Sequence, residues 1–187
     1  MNNTFYLLRH AATKLDRNKA ASKWLLSEEG KRQAEKLAKS GVFNDVDIII
    51  SSAEKKAYQT AKPIADRLNK DIIRIPELNE LDRDAGGFLE KGEFDKTVNF
   101  AMTHLDRSVH DWETTAHALE RFSKAIDKID SEHEKKKILI VSHGCVINLY
   151  FAKLLGELDE VNDRWKKTTF CSWGIVENGG VVKDIVR

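Results

Sequence analysis

Two apolar runs that each end in a histidine constrain the fold of this chain more than any other feature. The first run ends in Arg9 and His10, and the second, far along the chain, ends in His143 and Gly144. Each run is followed by a helical pattern of apolar residues, which is typical of a buried parallel strand. Because ligands bind beyond the carboxyl ends of such strands, we expect the two imidazoles to face one crevice of an α/β fold.

Strand and helix patterns alternate along the rest of the chain. We predict strands over residues 4–9, 46–50, 72–75 and 137–142, helices over 28–40, 53–68, 119–129 and 146–155, and a terminal hairpin over 170–186. This order predicts a three-layer α/β/α sandwich with a mostly parallel sheet and an antiparallel edge hairpin. Pro63 falls inside the second helix, and we expect it to kink or split that helix.

The length of 187 residues predicts a single domain over residues 1–187. Within it, residues 81–112 lack clean periodicity and combine glycines with acidic and aromatic side chains. Long irregular segments of compact domains are often lids or binding loops. We therefore interpret residues 81–112 as a lid-like insertion.

The near-zero net charge argues against partners that are attracted by a large charge on the whole protein. The chain carries 31 basic and 30 acidic residues, for a net charge of +1, so we predict binding neither to nucleic acid nor to a membrane. No basic leader precedes an apolar signal region, no apolar run is long enough to cross a bilayer, and two cysteines are too few for a disulfide framework. We therefore expect a cytoplasmic protein that is a monomer or a homodimer.

The residues that end the two runs favour phosphoryl chemistry. A histidine that attacks phosphorus needs a free ring nitrogen. The positive charge of Arg9 opposes protonation of His10. The guanidinium group of Arg9 also offers bidentate hydrogen-bond donors to phosphate oxygens. At the second run, Gly144 permits close approach to a ligand, and the following helix is predicted to turn free amides toward the crevice as an anion site. Taken alone, either histidine is more typical of a structural strand end.

Two further segments hold charged side chains that such chemistry uses. Lys56 lies one turn inside the helix that follows Ser51 and Ser52, where it can contact an anion or belong to a solvated basic face. Glu77 and Glu80 follow the third predicted strand. Phosphomonoester cleavage needs an acid to protonate the departing oxygen, and a glutamate at the crevice can supply it. The alternative is that each glutamate is an ordinary surface carboxylate.

Together these segments resemble, in content and order, the histidine phosphatase superfamily, also called the phosphoglycerate mutase-like family. The resemblance is carried by Arg9-His10-Ala11-Ala12-Thr13, Leu26-Ser27-Glu28-Glu29-Gly30-Lys31-Arg32-Gln33-Ala34, the stretch from Ser51 to Ala61, Leu78-Asn79-Glu80, and Ser142-His143-Gly144. It spans most of the chain, and the set is highly specific although each motif alone is weak.

The resemblance implies a phosphatase that acts on a small phosphorylated metabolite through a phosphohistidine, with neither a metal nor a cofactor. It implies that His10 is the nucleophile, that Glu80 is the proton donor and that His143 binds the transferring phosphoryl group. The implied phosphate-binding set is completed by Arg9, Thr13, Gly144 and Lys56, which takes the place of the family's second arginine.

Three residues depart from the family pattern. Ala11 replaces the glycine after the nucleophile, and Lys56 replaces an arginine, which turns a bidentate clamp into a point charge. Asp16 stands where many members have an asparagine. Its carboxylate would repel phosphate unless it turned away or paired with a cation such as Lys14 or Arg17. These departures bear on rate and substrate more than on the fold.

Other functions have less support in the sequence. A cysteine phosphatase is excluded because neither cysteine has an arginine six residues later, and no Gly-x-x-x-x-Gly-Lys loop supports a nucleotide kinase. A metallohydrolase would have to recruit His104, His110, Asp111 and His117, which lack recognised ligand spacing. Phosphoglycerate mutase-type phosphoryl transfer and a catalytically weak phosphate-binding scaffold are the remaining alternatives. We favour a phosphatase because a short chain leaves the intermediate open to water.

Overall fold

A mixed sheet of six strands forms the middle layer of the protein, as seen in a computed structural model that describes residues 2–186. The strands are β1 (Thr4–Arg9), β2 (Ile48–Ser52), β3 (Ile72–Ile75), β4 (Lys137–Ser142), β5 (Trp173–Glu177) and β6 (Gly180–Lys183). Their order across the sheet is β3-β2-β4-β1-β5-β6. The first four pair in parallel, whereas β5 and β6 extend the sheet from β1 as an antiparallel edge. The predicted fold class is therefore confirmed.

Six α-helices of residues 2–186 accompany the sheet: α1 (Glu28–Lys39), α2 (Lys55–Leu68), α3 (Lys91–Thr103), α4 (Thr115–Glu132), α5 (Gly144–Leu155) and α6 (Val161–Lys167). α1 begins where the sequence predicts, because the Ser27 hydroxyl accepts a hydrogen bond of 3.0 Å from the Gly30 amide. α5 ends at Gly156, whose left-handed backbone stops the helix. Pro63 lies within α2 without splitting it. No helix within residues 2–186 is long and apolar enough to cross a membrane.

The central strands bury different side chains on the two faces of the sheet. In β1, Phe5 and Leu7 join the core formed with α4 and α5, whereas Tyr6 and Leu8 join the core formed with α1 and α2. Because both faces are covered, such a strand has a continuous apolar sequence instead of an alternating one. The parallel strands β1, β2 and β4 all end at the same edge of the sheet, and the side chains that follow them meet there.

The segment 81–112 is less irregular than the sequence predicts. It contains α3, a helix of 13 residues, and Val98, Met102 and Trp112 are buried in the core on the α5 side of the sheet. The sequence does not predict this helix because Glu90, which precedes it, makes no side-chain capping bond and Gly92 lies near its start. The short helix α6 was also missed, since seven residues show too little of a 3.6-residue period.

Candidate active site

The carboxyl ends of β1 and β4 bring two histidines together, as the sequence predicts. The His10 amide donates a 2.9 Å hydrogen bond to the carbonyl of Ser142, which directly precedes His143. The two imidazole rings lie with their centroids 5.1 Å apart, nearly edge to face. His10 is 7% exposed and His143 is fully buried. The histidine pair is therefore a shared feature of two neighbouring strands, set inside the protein instead of on its surface.

His10 has one protonated and one free ring nitrogen. Its Nδ1 lies 2.8 Å from the carbonyl oxygen of Ala11, and a carbonyl can only accept, so Nδ1 carries the proton. No residue in the described range hydrogen-bonds to Nε2. Burial holds the pKa of His10 well below its ordinary value, and the nearby His143, Lys56 and Arg9 lower it further. The ring is therefore neutral near pH 7, with the Nε2 lone pair available.

The loop after His10 is held by side chains from α1 and α2. The Ala11 amide donates to the Thr60 hydroxyl at 3.0 Å, and the Ala12 amide donates to Gln33 Oε1 at 3.0 Å. At Gly30, a Cβ would come within 2.0 Å of the Ala12 carbonyl oxygen, so only glycine lets α1 approach this loop so closely. These residues belong to the motifs that carry the family resemblance, but the sequence predicts no role for them. They fix the backbone that orients His10.

Arg9 is held from three sides. Its Nη1 donates to the Thr168 carbonyl at 2.6 Å, and its guanidinium lies 4.7 Å from the centroid of the Phe170 ring. A Cβ at Gly144 would come within 3.0 Å of the guanidinium. Gly144 thus makes room for Arg9, whereas the sequence predicts room for a ligand at this glycine. The buried Nε of Arg9 has no hydrogen-bond partner among the described residues.

His143 is bound on one side of its ring. Its Nε2 lies 2.7 Å from the Ser52 hydroxyl and 3.5 Å from Glu54 Oε1, while the buried Nδ1 has no partner among residues 2–186. Burial, followed by the positive charge of Lys56, holds the pKa of His143 well below its ordinary value. Both histidines of the pair are therefore neutral near pH 7.

Lys56 is buried in an ion pair that the sequence does not predict. Lys56 is 3% exposed and Glu54 is 6% exposed, and Lys56 Nζ lies 2.6 Å from Glu54 Oε2. Lys56 also donates to the Ala21 carbonyl at 2.9 Å. The alternative of a solvated basic face is therefore wrong for Lys56. Glu54 belongs to the motif from Ser51 to Ala61. The sequence hints at the ion pair only by placing a carboxylate two residues before that lysine.

Glu80 occupies the amino-terminal end of α5. Its Oε1 accepts hydrogen bonds from the amides of Leu81 at 3.0 Å and Val146 at 3.2 Å, and its Oε2 accepts one from the Cys145 amide at 3.1 Å. The sequence predicts that these helix amides bind a ligand anion. Two of them hold the Glu80 carboxylate instead, which places Glu80 next to the strand end that carries His143.

Arg121, a residue of α4 outside every motif, holds the segment that carries Glu80. Its Nη1 donates to the carbonyls of Glu77 at 2.8 Å and Asn79 at 2.9 Å, and its Nη2 donates to the carbonyl of Glu80 at 2.7 Å. Glu113 pairs with the same guanidinium at 2.7 Å. These contacts link α4 to the proposed acid, and no local pattern could have predicted them.

A cavity of about 690 Å³ opens beside these charged groups. Glu54, Lys56 and Glu80 line it, whereas His10 and His143 do not. His143 contacts Glu54 from the inside at 3.5 Å, and His10 lies next to His143. Arg83 also lines the cavity, and its guanidinium lies 4.7 Å from the centroid of the Phe94 ring and 5.8 Å from those of Trp24 and Trp112. A leaving group in this cavity would therefore meet both a carboxylate and a fixed cation.

Two other predicted positions are less central. Thr13 forms an isolated backbone bridge with Leu26. Asp16 pairs with Lys19 at 2.9 Å, a partner that is not predicted from the sequence, and this contact lowers the pKa of the Asp16 carboxyl. Its charge is thus offset locally.

The residues of the metallohydrolase alternative do not converge. His104 stacks on Phe100, and His117 pairs with Glu113 at 2.7 Å. Among residues 2–186, no group of three or more His, Cys, Asp or Glu side chains is arranged to hold a metal ion.

Known proteins share both the sequence pattern and the fold. A sequence profile described as "Histidine phosphatase superfamily (branch 1)" matches residues 5–186. "Probable phosphoglycerate mutase GpmB" of Enterobacter sp. (strain 638) is 30% identical over 162 residues, which cover 81% of this chain and 74% of that protein. "Phosphoserine phosphatase 1" of Hydrogenobacter thermophilus is 26% identical over 136 residues, which cover 70% of this chain but only 64% of that protein. The solved structure of Bacillus stearothermophilus YhfR matches 99% of this chain and 100% of its own, with a TM-score of 0.79 at 22% identity.

Proposed function

The chain belongs to the histidine phosphatase superfamily, and we propose that it hydrolyses phosphomonoesters through a phosphohistidine at His10. The observation that carries this proposal is the state of His10, a buried neutral ring whose Nδ1 proton is held by Ala11 so that Nε2 keeps its lone pair. Attack on phosphorus needs that lone pair together with a cation for the phosphate oxygens. Arg9 supplies the cation.

The first half-reaction transfers the phosphoryl group to the enzyme. His10 Nε2 attacks phosphorus, the N–P bond forms, and the bond between phosphorus and the ester oxygen breaks. Glu80 gives a proton to that oxygen, and the alcohol leaves. Glu80 Oε2 accepts a single amide hydrogen bond, so its second lone pair can carry the proton.

The second half-reaction returns the enzyme to its starting state. Water attacks phosphorus, the N–P bond breaks, and Glu80 takes the proton that the water releases. Inorganic phosphate then leaves, and His10 is again neutral. We assign the phosphoryl oxygens to Arg9, His143 and Lys56, a choice supported by the unpartnered Arg9 Nε and His143 Nδ1. The backbones of Thr13 and Gly144 complete the proposed phosphate site.

The substrate proposed is a small phosphorylated metabolite. Phosphoserine and phosphoglycerate appear in the names of two relatives, and a cavity of about 690 Å³ beside Glu80 holds a compound of that size together with water. Room for water supports hydrolysis over transfer to a second substrate. Residues 81–112 supply part of the cavity wall through Arg83 and Asp84, so we propose that this segment covers the site. We further propose a cytoplasmic protein that is a monomer or a homodimer.

Turnover of p-nitrophenyl phosphate in EDTA tests the proposal. We expect hydrolysis by the wild type without added metal, and a loss on the order of a thousandfold or more in His10→Ala, because the nucleophile is gone. Acid-labile phosphate label from a substrate should appear on the wild type and not on His10→Ala. The exposed His110→Ala variant is the matched control and should keep full turnover. Normal turnover by a folded His10→Ala variant would contradict the mechanism.

Phosphate-acceptor analysis separates the phosphatase from the mutase alternative. With a phosphoglycerate as substrate, a phosphatase releases inorganic phosphate in proportion to substrate consumed, whereas a mutase yields an isomer without phosphate. Binding of phosphate without any turnover would favour the scaffold alternative.

A further inference from the structure

The pair of Glu54 and Lys56 gives the phosphate pocket an anion of its own. We propose that Glu54 competes with a bound phosphoryl group for Lys56 and thereby weakens the pocket's affinity for phosphate. Glu54 is then an affinity-determining residue, although it is no part of the reaction steps assigned above. The inference rests on the proposed function only in taking the pocket around His10 and Lys56 as the phosphate site.

The ammonium group of Lys56 is engaged on two sides within the protein. One of its three donors is given to the Ala21 carbonyl at 2.9 Å. Glu54 Oε2 lies 2.6 Å from Nζ as an ion pair without hydrogen-bond geometry. At most two donors are therefore left for a phosphate oxygen, and both lie beside the Glu54 carboxylate. An arginine in this place could hold the same partners and still present further N–H groups, because a guanidinium has five.

Glu54 is fixed in place by contacts of its own. Its Oε1 accepts a 2.8 Å hydrogen bond from the Glu80 amide, and its own amide donates to the Ser52 hydroxyl at 3.3 Å. If Glu54 swung away from Lys56, the partly buried Glu80 amide would lose its acceptor, and leaving such a group unsatisfied is unfavourable. The carboxylate therefore stays beside Lys56 when phosphate arrives.

The charges of the pair largely cancel toward an incoming anion. Lys56 and Glu54 carry opposite charges 2.6 Å apart, and both are almost fully buried. A phosphate oxygen that reaches Lys56 also comes close to Glu54, and at short range in a poorly solvated pocket like charges repel strongly. Arg9, which has no carboxylate partner within 4.0 Å in the described range, is left as the main cation of the phosphate site.

Because of this arrangement, substrate affinity comes less from the phosphoryl group and more from the leaving group. If the phosphoryl end binds weakly, the product phosphate leaves readily, and the ester must gain its affinity from the leaving group in the cavity beside Arg83. Discrimination between phosphomonoesters then depends on the cavity walls and less on the phosphate that all of them share.

Isothermal titration calorimetry with inorganic phosphate and orthovanadate tests the proposal without requiring turnover. Glu54→Gln keeps the size of the side chain and removes its charge. We expect this variant to bind both anions about 10- to 100-fold more tightly than the wild type, since a like charge a few ångströms from the anion is removed. The exposed Glu77→Gln makes the same chemical change away from Lys56 and should bind phosphate like the wild type.

Unchanged or weaker anion binding by a folded Glu54→Gln variant would overturn the proposal, because Glu54 would then only position Lys56. If that variant fails to fold, as judged by its circular dichroism, Lys56→Arg decides. An arginine can hold Glu54 and still offer donors to phosphate, so we expect tighter binding of both anions, and equal or weaker binding would overturn the proposal. Turnover of p-nitrophenyl phosphate, measured separately, reports on the proposed function alone, so the two can fail independently.

Discussion

Replacing Lys56 with methionine should reveal how strongly the buried ion pair is coupled to folding. Lys56→Met keeps the length and the apolar stem of the side chain and removes only the ammonium group. The Glu54 carboxylate, 6% exposed, loses its 2.6 Å partner and is left with the Glu80 amide as its main remaining contact. An unpaired buried charge is far more unfavourable than an unpaired exposed one.

The expected magnitude follows from the burial of both partners. Breaking a buried ion pair by removing one member typically lowers the free energy of unfolding by about 3–5 kcal/mol. For a chain of this size, that loss corresponds to a decrease in Tm of roughly 6–20 °C. The matched control is Lys91→Met, because Lys91 pairs with Asp95 at a similar distance of 2.7 Å but is 89% exposed. It should leave the unfolding free energy nearly unchanged.

Urea unfolding followed by circular dichroism measures both variants, and a double variant identifies the cause. Adding Glu54→Gln to Lys56→Met removes the unpaired charge, so the double variant should recover most of the lost stability. A loss of less than about 1 kcal/mol in Lys56→Met would show that water reaches the pair and would refute the reasoning. A double variant no more stable than Lys56→Met would show that lost packing, not charge, is responsible.

Three further predictions concern the histidines, the proposed acid and the arginine that holds its segment. Because the folded protein holds the pKa values of His10 and His143 well below those of the unfolded chain, the unfolded chain binds more protons below about pH 6.5, and stability falls as pH decreases there. His10→Gln should reduce the slope of unfolding free energy below about pH 6.5, by at most about 1.4 kcal/mol per pH unit, the limit for one proton, and an unchanged slope would contradict the buried neutral ring. In steady-state kinetics, Glu80→Gln should slow alkyl phosphates more than p-nitrophenyl phosphate, whose leaving group needs less protonation. Arg121→Gln should give the same selectivity in milder form by loosening the Glu80 segment, and equal losses on both substrates would point to another donor.

The two strands that end in histidines show how much structure can be predicted from local sequence. Both faces of β1 and β4 are covered, so their apolar runs stand out in the sequence, and parallel pairing brings His10 and His143 to one edge. The start of α1 after Ser27 is equally predictable from the sequence, because a capping hydroxyl acts within its own turn. By contrast, α3 was missed, since its buried side chains face partners elsewhere in the chain and its start has no capping signal.

By itself, the sequence determined the alternation of strands and helices, the histidines at two strand ends and the set of motifs that mark the family. Those features depend on residues close together along the chain. Only the tertiary structure decided which charges meet: Lys56 with Glu54, Glu80 with the amides of α5, and Arg121 with the carbonyls around Glu80. The energy of such contacts depends on burial, and burial arises only when segments far apart in sequence pack together, even for Glu54 and Lys56, which are two residues apart.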